Sequence, residues 1–163
     1  MIGENIRGKI VSMSRKLISV IGGRRVEKRL LQEAEKVGRL IAAKDAVVVC
    51  GGLAGVMEAV SKGAKAEGGL TVGILPQDHK RAANAYIDIP IVTGLGIGRN
   101  VIIARTADAV IAVGGEYGTL SEIAFSLQMG KPVVGIETWD IKGIIPADNA
   151  EDAVRKVFEI LES

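Results

Sequence analysis

The sequence predicts an α/β fold, in which helices cover both faces of a doubly wound parallel sheet. Short apolar segments alternate with amphipathic helical segments along most of the 163 residues. The apolar segments lack the polar–apolar alternation of half-exposed strands, and continuous apolarity is typical of parallel strands buried on both faces. Three of these segments end in a glycine pair, which is typical of a tight turn between a strand and the following helix.

Six strands are predicted, each from an apolar run bounded by glycine, proline or polar residues. Pro90 lies within the fourth strand and indicates an edge position or an irregular end, because proline has no N–H to donate to the sheet. In chain order the predicted strands cover residues 17–21, 46–50, 70–75, 87–92, 109–113 and 132–136.

Helices are predicted where apolar residues recur every three or four positions. The first three follow the first, second and fourth strands, and a further helix follows the fifth strand. The last helix closes the chain. Together they cover roughly residues 26–41, 56–64, 99–103, 120–127 and 151–162.

Right-handed crossovers between these elements predict a Rossmann-like sheet with the strand order 3-2-1-4-5-6. In that order the chain reverses between strands 1 and 4, and a crevice opens at the carboxyl ends of the strands. The glycine pairs after strands 1, 2 and 5 would then face this crevice. The chain length suits one such domain, so residues 1–163 are predicted to form a single domain.

Composition argues against several classes of function. The net charge is +2 and aromatic residues make up 3% of the chain, which favours neither nucleic-acid nor membrane binding. Cys50 is the single cysteine, so we expect a buried core residue in a reducing cytoplasm. No apolar run is long enough to span a membrane. His79 and the scattered carboxylates form no metal-ligand pattern, so no metal is expected.

The turn that contains Gly114, Gly115, Gly118 and Thr119 is the strongest functional signal. It joins a strand to a helix, whose free N–H groups and dipole attract phosphate, and glycine lets a phosphate approach the backbone closely. Glu122 follows where its carboxylate could reach the same ligand. An alternative is structural, since T-L-S-E matches a capping box in which Thr119 caps the helix and Glu122 bonds back to it.

Two further glycine pairs are candidate phosphate-binding turns. Gly51 and Gly52 follow the second strand, whereas Gly22 and Gly23 follow the first and precede two arginines. Either pair could equally be a plain connection between strand and helix. Arg99 is placed at a helix start, where the dipole disfavours a cation, which indicates a partner such as an anionic ligand or Glu122.

Four segments together resemble the LOG-like (Lonely Guy) superfamily, which is also called lysine decarboxylase-like. The resemblance spans roughly residues 17–137. It rests on G-G-L-A-G-V-M-E-A, on G-I-L-P, on the run G-R-N-V-I-I-A-R-T-A-D-A-V-I-A-V-G-G-E-Y-G-T-L-S-E, and on G-K-P-V.

The resemblance implies a nucleoside monophosphate site. In LOG enzymes an arginine and the glutamate of a glycine-rich motif cleave the bond between base and ribose 5′-phosphate, and these residues match Arg99 and Glu122. Lysine decarboxylation is not expected, since no pyridoxal-binding lysine motif is present.

The chain departs from the LOG motif at three points. Val113 replaces a proline, Asn100 replaces the lysine after the arginine, and both Glu116 and Tyr117 stand where LOG enzymes have one residue. The longer turn is similar to a sister branch that includes the molybdenum-cofactor carrier protein, which binds a phosphorylated pterin.

The sequence therefore predicts a protein that binds a phosphorylated nucleotide-like ligand, such as a nucleotide or a phosphorylated pterin, and that requires no cofactor of its own. The alternative is a nucleoside 5′-monophosphate phosphoribohydrolase. A cofactor carrier or sensor and a structural oligomer with a vestigial site are further hypotheses. The resemblance also implies a homodimer or larger homo-oligomer.

Overall fold

A computed structural model describes residues 14–163 and contains a seven-stranded sheet in which every neighbouring pair of strands is parallel. The spatial order is β4-β3-β2-β1-β5-β6-β7. The strands are β1 (Leu17–Gly22), β2 (Val47–Cys50), β3 (Thr71–Leu75), β4 (Ile89–Val92), β5 (Ala109–Val113), β6 (Val133–Ile136) and β7 (Ile144–Ala147). The first part of the predicted single domain, residues 1–13, lies outside the described residues.

Helices cover both faces of this sheet, which confirms the predicted α/β class. They are α1 (Lys28–Ala43), α2 (Val56–Ala66), α3 (Asn100–Thr106), α4 (Tyr117–Gln128) and α5 (Ala150–Glu162). Helices α1, α2 and α5 pack into one apolar core, whereas α3 and α4 pack into the core on the opposite face. Within residues 14–163, no helix combines the length and apolarity needed to cross a membrane.

The predicted strand order was wrong for the fourth strand. β4 pairs with β3 at the edge of the sheet, and β5 takes the place beside β1, where Ser19 is in register with Val110. The edge position indicated by Pro90 is confirmed. The connection from β3 to β4 contains only the 3-10 turn Lys80–Ala82, so no helix carries the chain across the sheet at this point. The chain therefore reverses between β1 and β5, and the crevice lies there.

Strand β7 was missed by the sequence analysis. It is only four residues long and contains Pro146, which resembles a turn more than a strand. The strand exists because its neighbour β6 offers a free edge, and because a proline is tolerated at the outer edge of a sheet. This pairing depends on a spatial neighbour that the local sequence does not reveal.

Candidate functional site

A cavity of about 660 Å³ opens at the carboxyl ends of the central strands. Its wall combines the turn after β1, the end of β2, the 3-10 turn Gly96–Arg99 that leads into α3, and the first turns of α4. The polar and glycine residues of the wall are Gly22, Gly23, Arg24, Arg25, Gly51, Gly96, Arg99, Asn100, Glu116, Gly118, Thr119 and Glu122. Arg99 and Glu122 are therefore placed in the same cavity, as the sequence predicted.

Arg99 is buried, with 8% of its surface exposed, although its side chain is charged. Its Nε donates to the carbonyl oxygen of Ile74 over 2.8 Å, and its Nη2 donates to the carbonyl oxygen of Gly51 over 3.3 Å. Its Nη1 donates to the side-chain oxygen of Asn100. All three acceptors are neutral. Burial lowers the pKa of the guanidinium from its usual value, and the negative charge of Glu122 opposes that change.

Gly51 has a steric reason to be glycine. A Cβ at this position would lie 2.5 Å from Nη2 of Arg99 and 2.6 Å from the sulfur of Met57. Contacts this short do not occur between real side chains, so a larger residue would displace the guanidinium. Gly51 therefore makes room for Arg99 at the cavity wall, a role that differs from the phosphate contact predicted for the second glycine turn.

Glu122 is also buried, with 7% of its surface exposed. Burial raises the pKa of this carboxyl to about 7, and the positive charge of Arg99 opposes the increase. Burial outweighs the effect of Arg99, and within residues 14–163 no hydrogen bond to the side chain stabilises its charged form. A carboxyl with this pKa is protonated in about half of the molecules at neutral pH, whereas an ordinary glutamate is almost fully ionised.

The capping-box alternative for Thr119 and Glu122 does not match the structure. Helix α4 begins at Tyr117, two residues before Thr119, and Glu116 occupies the cap position without a side-chain cap bond. Thr119 therefore lies inside the helix, where it is buried with 3% of its surface exposed. Glu122 is in the second turn of the helix. It does not cap the helix, so its carboxyl is available to a ligand in the cavity.

The glycine turn before α4 is divided between two surfaces. Gly118 and Thr119 line the main cavity, whereas Gly114 and Gly115 line a neighbouring shallow groove beside Arg25. Gly115 has a φ of 116°, and a Cβ there would lie 2.4 Å from the Cβ of Thr119. This glycine thus lets the turn pass close to the helix.

Gly52 is the remaining predicted glycine that does not line the main cavity. It adopts a φ of 77°, and a Cβ at this position would lie 2.6 Å from the side chain of Leu75. Its carbonyl oxygen accepts a hydrogen bond from the N–H of Asn84. Packing inside the protein is therefore sufficient to explain this residue. Gly22 and Gly23, by contrast, are part of the cavity wall.

Positive charge prevails over negative charge in the lining of the cavity. The lining contains three cationic side chains, those of Arg24, Arg25 and Arg99, and two acidic ones, those of Glu116 and Glu122. Because the pKa of Glu122 is about 7, this carboxyl is partly neutral at physiological pH, which increases the positive balance. A wall with this charge favours an anionic ligand.

Asn100 is a polar wall residue whose role the sequence analysis missed. In the sequence it is visible only as a departure from the LOG motif, whereas in the structure it is 3% exposed and contacts both Arg99 and α4. An apolar part of the wall, formed by Met57, Pro76 and Ile97, was also missed. No local pattern marks these residues, since each depends on contacts between separate elements.

Comparisons with known proteins agree with the predicted resemblance. The molybdenum cofactor binding protein of Rippkaea orientalis is 36% identical, with a TM-score of 0.87 over 91% of this chain and 99% of that protein. The molybdenum cofactor carrier protein of Chlamydomonas reinhardtii is 32% identical, with a TM-score of 0.83 over 92% of this chain and 100% of that protein.

A similarity to an enzyme is also found. The cytokinin riboside 5′-monophosphate phosphoribohydrolase of Mycobacterium tuberculosis is 34% identical over 119 residues, which are 68% of this chain. The matched region spans 64% of the length of that enzyme. The family model that describes the SLOG cluster4 family matches residues 15–161. These similarities confirm the LOG-like resemblance, and the chain belongs to the SLOG cluster4 family.

Proposed function

We propose that the chain binds a phosphorylated, nucleotide-like small molecule in the main cavity, as a carrier of the molybdenum-cofactor type. The observation that carries this proposal is the buried positive charge of Arg99, which among residues 14–163 hydrogen-bonds only to neutral acceptors. A buried charge is costly unless it is paired with an opposite one. A phosphoryl group in the cavity would be such a partner.

The guanidinium retains donors for this ligand. Arginine carries five N–H groups, and three hydrogen bonds to the protein leave two for a phosphoryl group. Hydrogen bonds from a guanidinium to phosphate are charge-assisted and stronger than those to neutral groups. Arg24 and Arg25 add positive charge at the same wall.

The start of α4 offers further donors to an anion. The first residues of a helix have no intrahelical acceptor for their N–H groups, and Gly118 and Thr119 occupy the second and third positions of α4. Both line the cavity that contains Arg99. A phosphoryl group between them would receive hydrogen bonds from the backbone and from a buried guanidinium.

The similarity to molybdenum-cofactor proteins favours a pterin-type cargo over other phosphorylated ligands. It extends over nearly the full length of those proteins, whereas the similarity to the phosphoribohydrolase covers a smaller share of both chains. The apolar residues Met57, Pro76 and Ile97 could contact the flat ring of a pterin or a base. The cargo is held here as a ligand and undergoes no reaction in this proposal.

A phosphoribohydrolase is the second candidate, and the state of Glu122 favours it. A carboxyl with a pKa of about 7 can donate and accept protons at neutral pH, as a general acid or base must. In such a reaction water would add to the ribose carbon while its bond to the base breaks, and the base would leave with a proton. Glu116 adds a carboxylate to this wall, which weakens the match to the enzyme motif.

We expect measurable binding of adenosine monophosphate with little release of adenine. Binding would be followed by isothermal titration calorimetry, and adenine by chromatography of the same mixtures after prolonged incubation. Mass spectrometry of small molecules released on denaturation would identify a co-purified cargo. Adenine release that is rapid in the wild type and lost in Glu122→Gln would favour the hydrolase. Absence of binding to both adenosine monophosphate and inorganic phosphate would contradict the proposed function.

We also expect the chain to form a homodimer or a larger homo-oligomer. Large apolar side chains remain exposed on α4 and on the edge strand β4, and exposed apolar side chains of this size are available for contacts between copies of the chain. They include Ile89, Ile91, Tyr117 and Phe125. Size-exclusion chromatography with light scattering measures the mass in solution, and a mass equal to the 17.1 kDa chain at micromolar concentration would contradict this expectation.

A further inference from the structure

We propose that Asn100 is a positioning residue, whose neutral side-chain amide links the Arg99 guanidinium to the first turns of α4 without cancelling its positive charge. The inference deepens the proposed function, because that charge is the one assigned to the phosphoryl group. It concerns a residue at which the chain departs from the LOG motif.

Both the oxygen and the nitrogen of the Asn100 side-chain amide form hydrogen bonds. Its oxygen accepts a hydrogen bond from Nη1 of Arg99. Its nitrogen donates to Oγ of Ser121 over 3.0 Å and lies 3.5 Å from the carbonyl oxygen of Gly118. Because Asn100 is 3% exposed, water does not compete substantially for these contacts. The amide therefore connects Arg99 with α4.

Ser121 extends the connection. Its hydroxyl accepts from Asn100 and donates to the carbonyl oxygen of Gly118 over 2.6 Å. The chain of hydrogen bonds thus runs from the guanidinium, through the amide and the hydroxyl, to the peptide of a residue that lines the cavity. The opposite orientation of the amide would place its NH₂ group against the N–H groups of Arg99, so the network selects one orientation.

The side chain of Asn100 is neutral, so it can hold the guanidinium of Arg99 without cancelling its charge. The other two anchors of Arg99 are the carbonyl oxygens of Ile74 and Gly51, and neither belongs to α4. A carboxylate in place of the amide could hold the guanidinium equally well, but it would cancel its charge. Asparagine holds the same geometry and leaves the positive charge to attract a ligand.

The decisive variant is Asn100→Asp, which preserves the shape of the side chain and adds a negative charge. The first readout needs no ligand: the titration of the Glu122 carboxyl, followed by carboxyl ¹³C NMR. In the wild type the pKa of Glu122 is about 7, and the charge of Arg99 opposes a higher value. Neutralising that charge should raise the pKa by roughly one unit. Direct repulsion between the new carboxylate and Glu122 acts in the same direction, so Ser121→Ala tests the positioning role separately.

The second readout is calorimetric affinity for adenosine monophosphate, which should fall about tenfold or more in Asn100→Asp. The matched control is Asn149→Asp, the same change at the N-cap of α5, outside the cavity wall. Aspartate is a favourable N-cap, so the control should retain wild-type affinity and titration. An unchanged Glu122 titration in Asn100→Asp would overturn the proposal, whether or not adenosine monophosphate binds.

A second variant covers the case in which Asn100→Asp does not fold. Ser121→Ala removes the shorter of the two contacts between Asn100 and α4, and it leaves the contact between Asn100 and Arg99 in place. We expect it to weaken binding of adenosine monophosphate several-fold while the protein stays folded. Unchanged affinity in this folded variant would count against the positioning role. Failure of the wild type to bind any phosphate probe would instead contradict the proposed function. The Glu122 titration needs no ligand, so it tests the positioning role of Asn100 even in that case.

Discussion

Glu122→Gln is expected to stabilise the protein at pH 8 and above, by on the order of 3 kcal/mol. The pKa of this carboxyl rises from 4.5 to about 7 in the folded protein because burial disfavours its charged form. The folded state therefore binds the proton more tightly than the unfolded state. The stability that the protonated carboxyl contributes is complete below pH 4.5 and is lost as the pH rises through 7.

The measurement is urea denaturation of the wild type and the variant at several values of pH between 5 and 9. The free energy of unfolding of the wild type should fall relative to the variant over this range, and the difference should level off above about pH 8. Glu162→Gln, at an exposed position near the end of α5, is the matched control and should show no such trend. A difference between wild type and Glu122→Gln that does not vary with pH would contradict the raised pKa.

This result would bear on function as well as on stability. A buried carboxyl that destabilises the ionised protein at neutral pH is typical of a functional site, where such groups are retained at a cost. Glu122→Gln should also keep its affinity for adenosine monophosphate under the carrier proposal, because a carboxylate contributes no attraction to an anion. Under the hydrolase alternative the same variant would bind but release no base.

Gly118→Leu is expected to lower the affinity for adenosine monophosphate about 100-fold or more, a change of about 2.7 kcal/mol. Gly118 lines the cavity, and a Cβ added there has Asn100 Nδ2 as its nearest neighbour, at 4.0 Å. The unliganded protein thus has room for the first atoms of a larger side chain. The leucine would occupy the space of the phosphoryl group and cover the N–H groups of Gly118 and Thr119.

Calorimetry measures the affinity, and thermal unfolding shows whether the variant remains folded. The melting temperature should stay within about 4 °C of the wild type, which corresponds to about 1 kcal/mol for a chain of this size. Ala66→Leu, at the exposed end of α2, is the matched control and should bind like the wild type. Wild-type affinity in Gly118→Leu would place the phosphoryl group elsewhere, and the groove beside Gly114 and Gly115 would then be the next candidate.

The central half of the fold could be predicted from the sequence alone. β1, β2 and β5 are apolar runs buried on both faces, so their periodicity and glycine pairs identify them without knowledge of their neighbours. The same local signals identified the turns at the carboxyl ends of the strands. The LOG-like resemblance and the placement of Arg99 at a helix start led to the expectation that Arg99 and Glu122 face one crevice, and both residues line the cavity.

The edges of the sheet required the tertiary structure. β4 was predicted as a strand, but its place beside β3 was not, and β7 is a short strand with a proline whose existence depends on the free edge of β6. Pro90 indicated an edge but not which one, since strand pairing is a contact between distant segments. The wrong position of β4 also misplaced the crevice, which lies between β1 and β5.

The chemistry of the cavity was decided by tertiary contacts as well. Arg99 is held by carbonyl oxygens that are 25 and 48 residues away, and the amide of Asn100 reaches a serine 21 residues away. The sequence alone determined which charged side chains are present and the end of the sheet at which they lie. Only the folded structure decides that Glu122 is buried beside Arg99, because desolvation depends on all the atoms packed around a group and not on its neighbours in the chain.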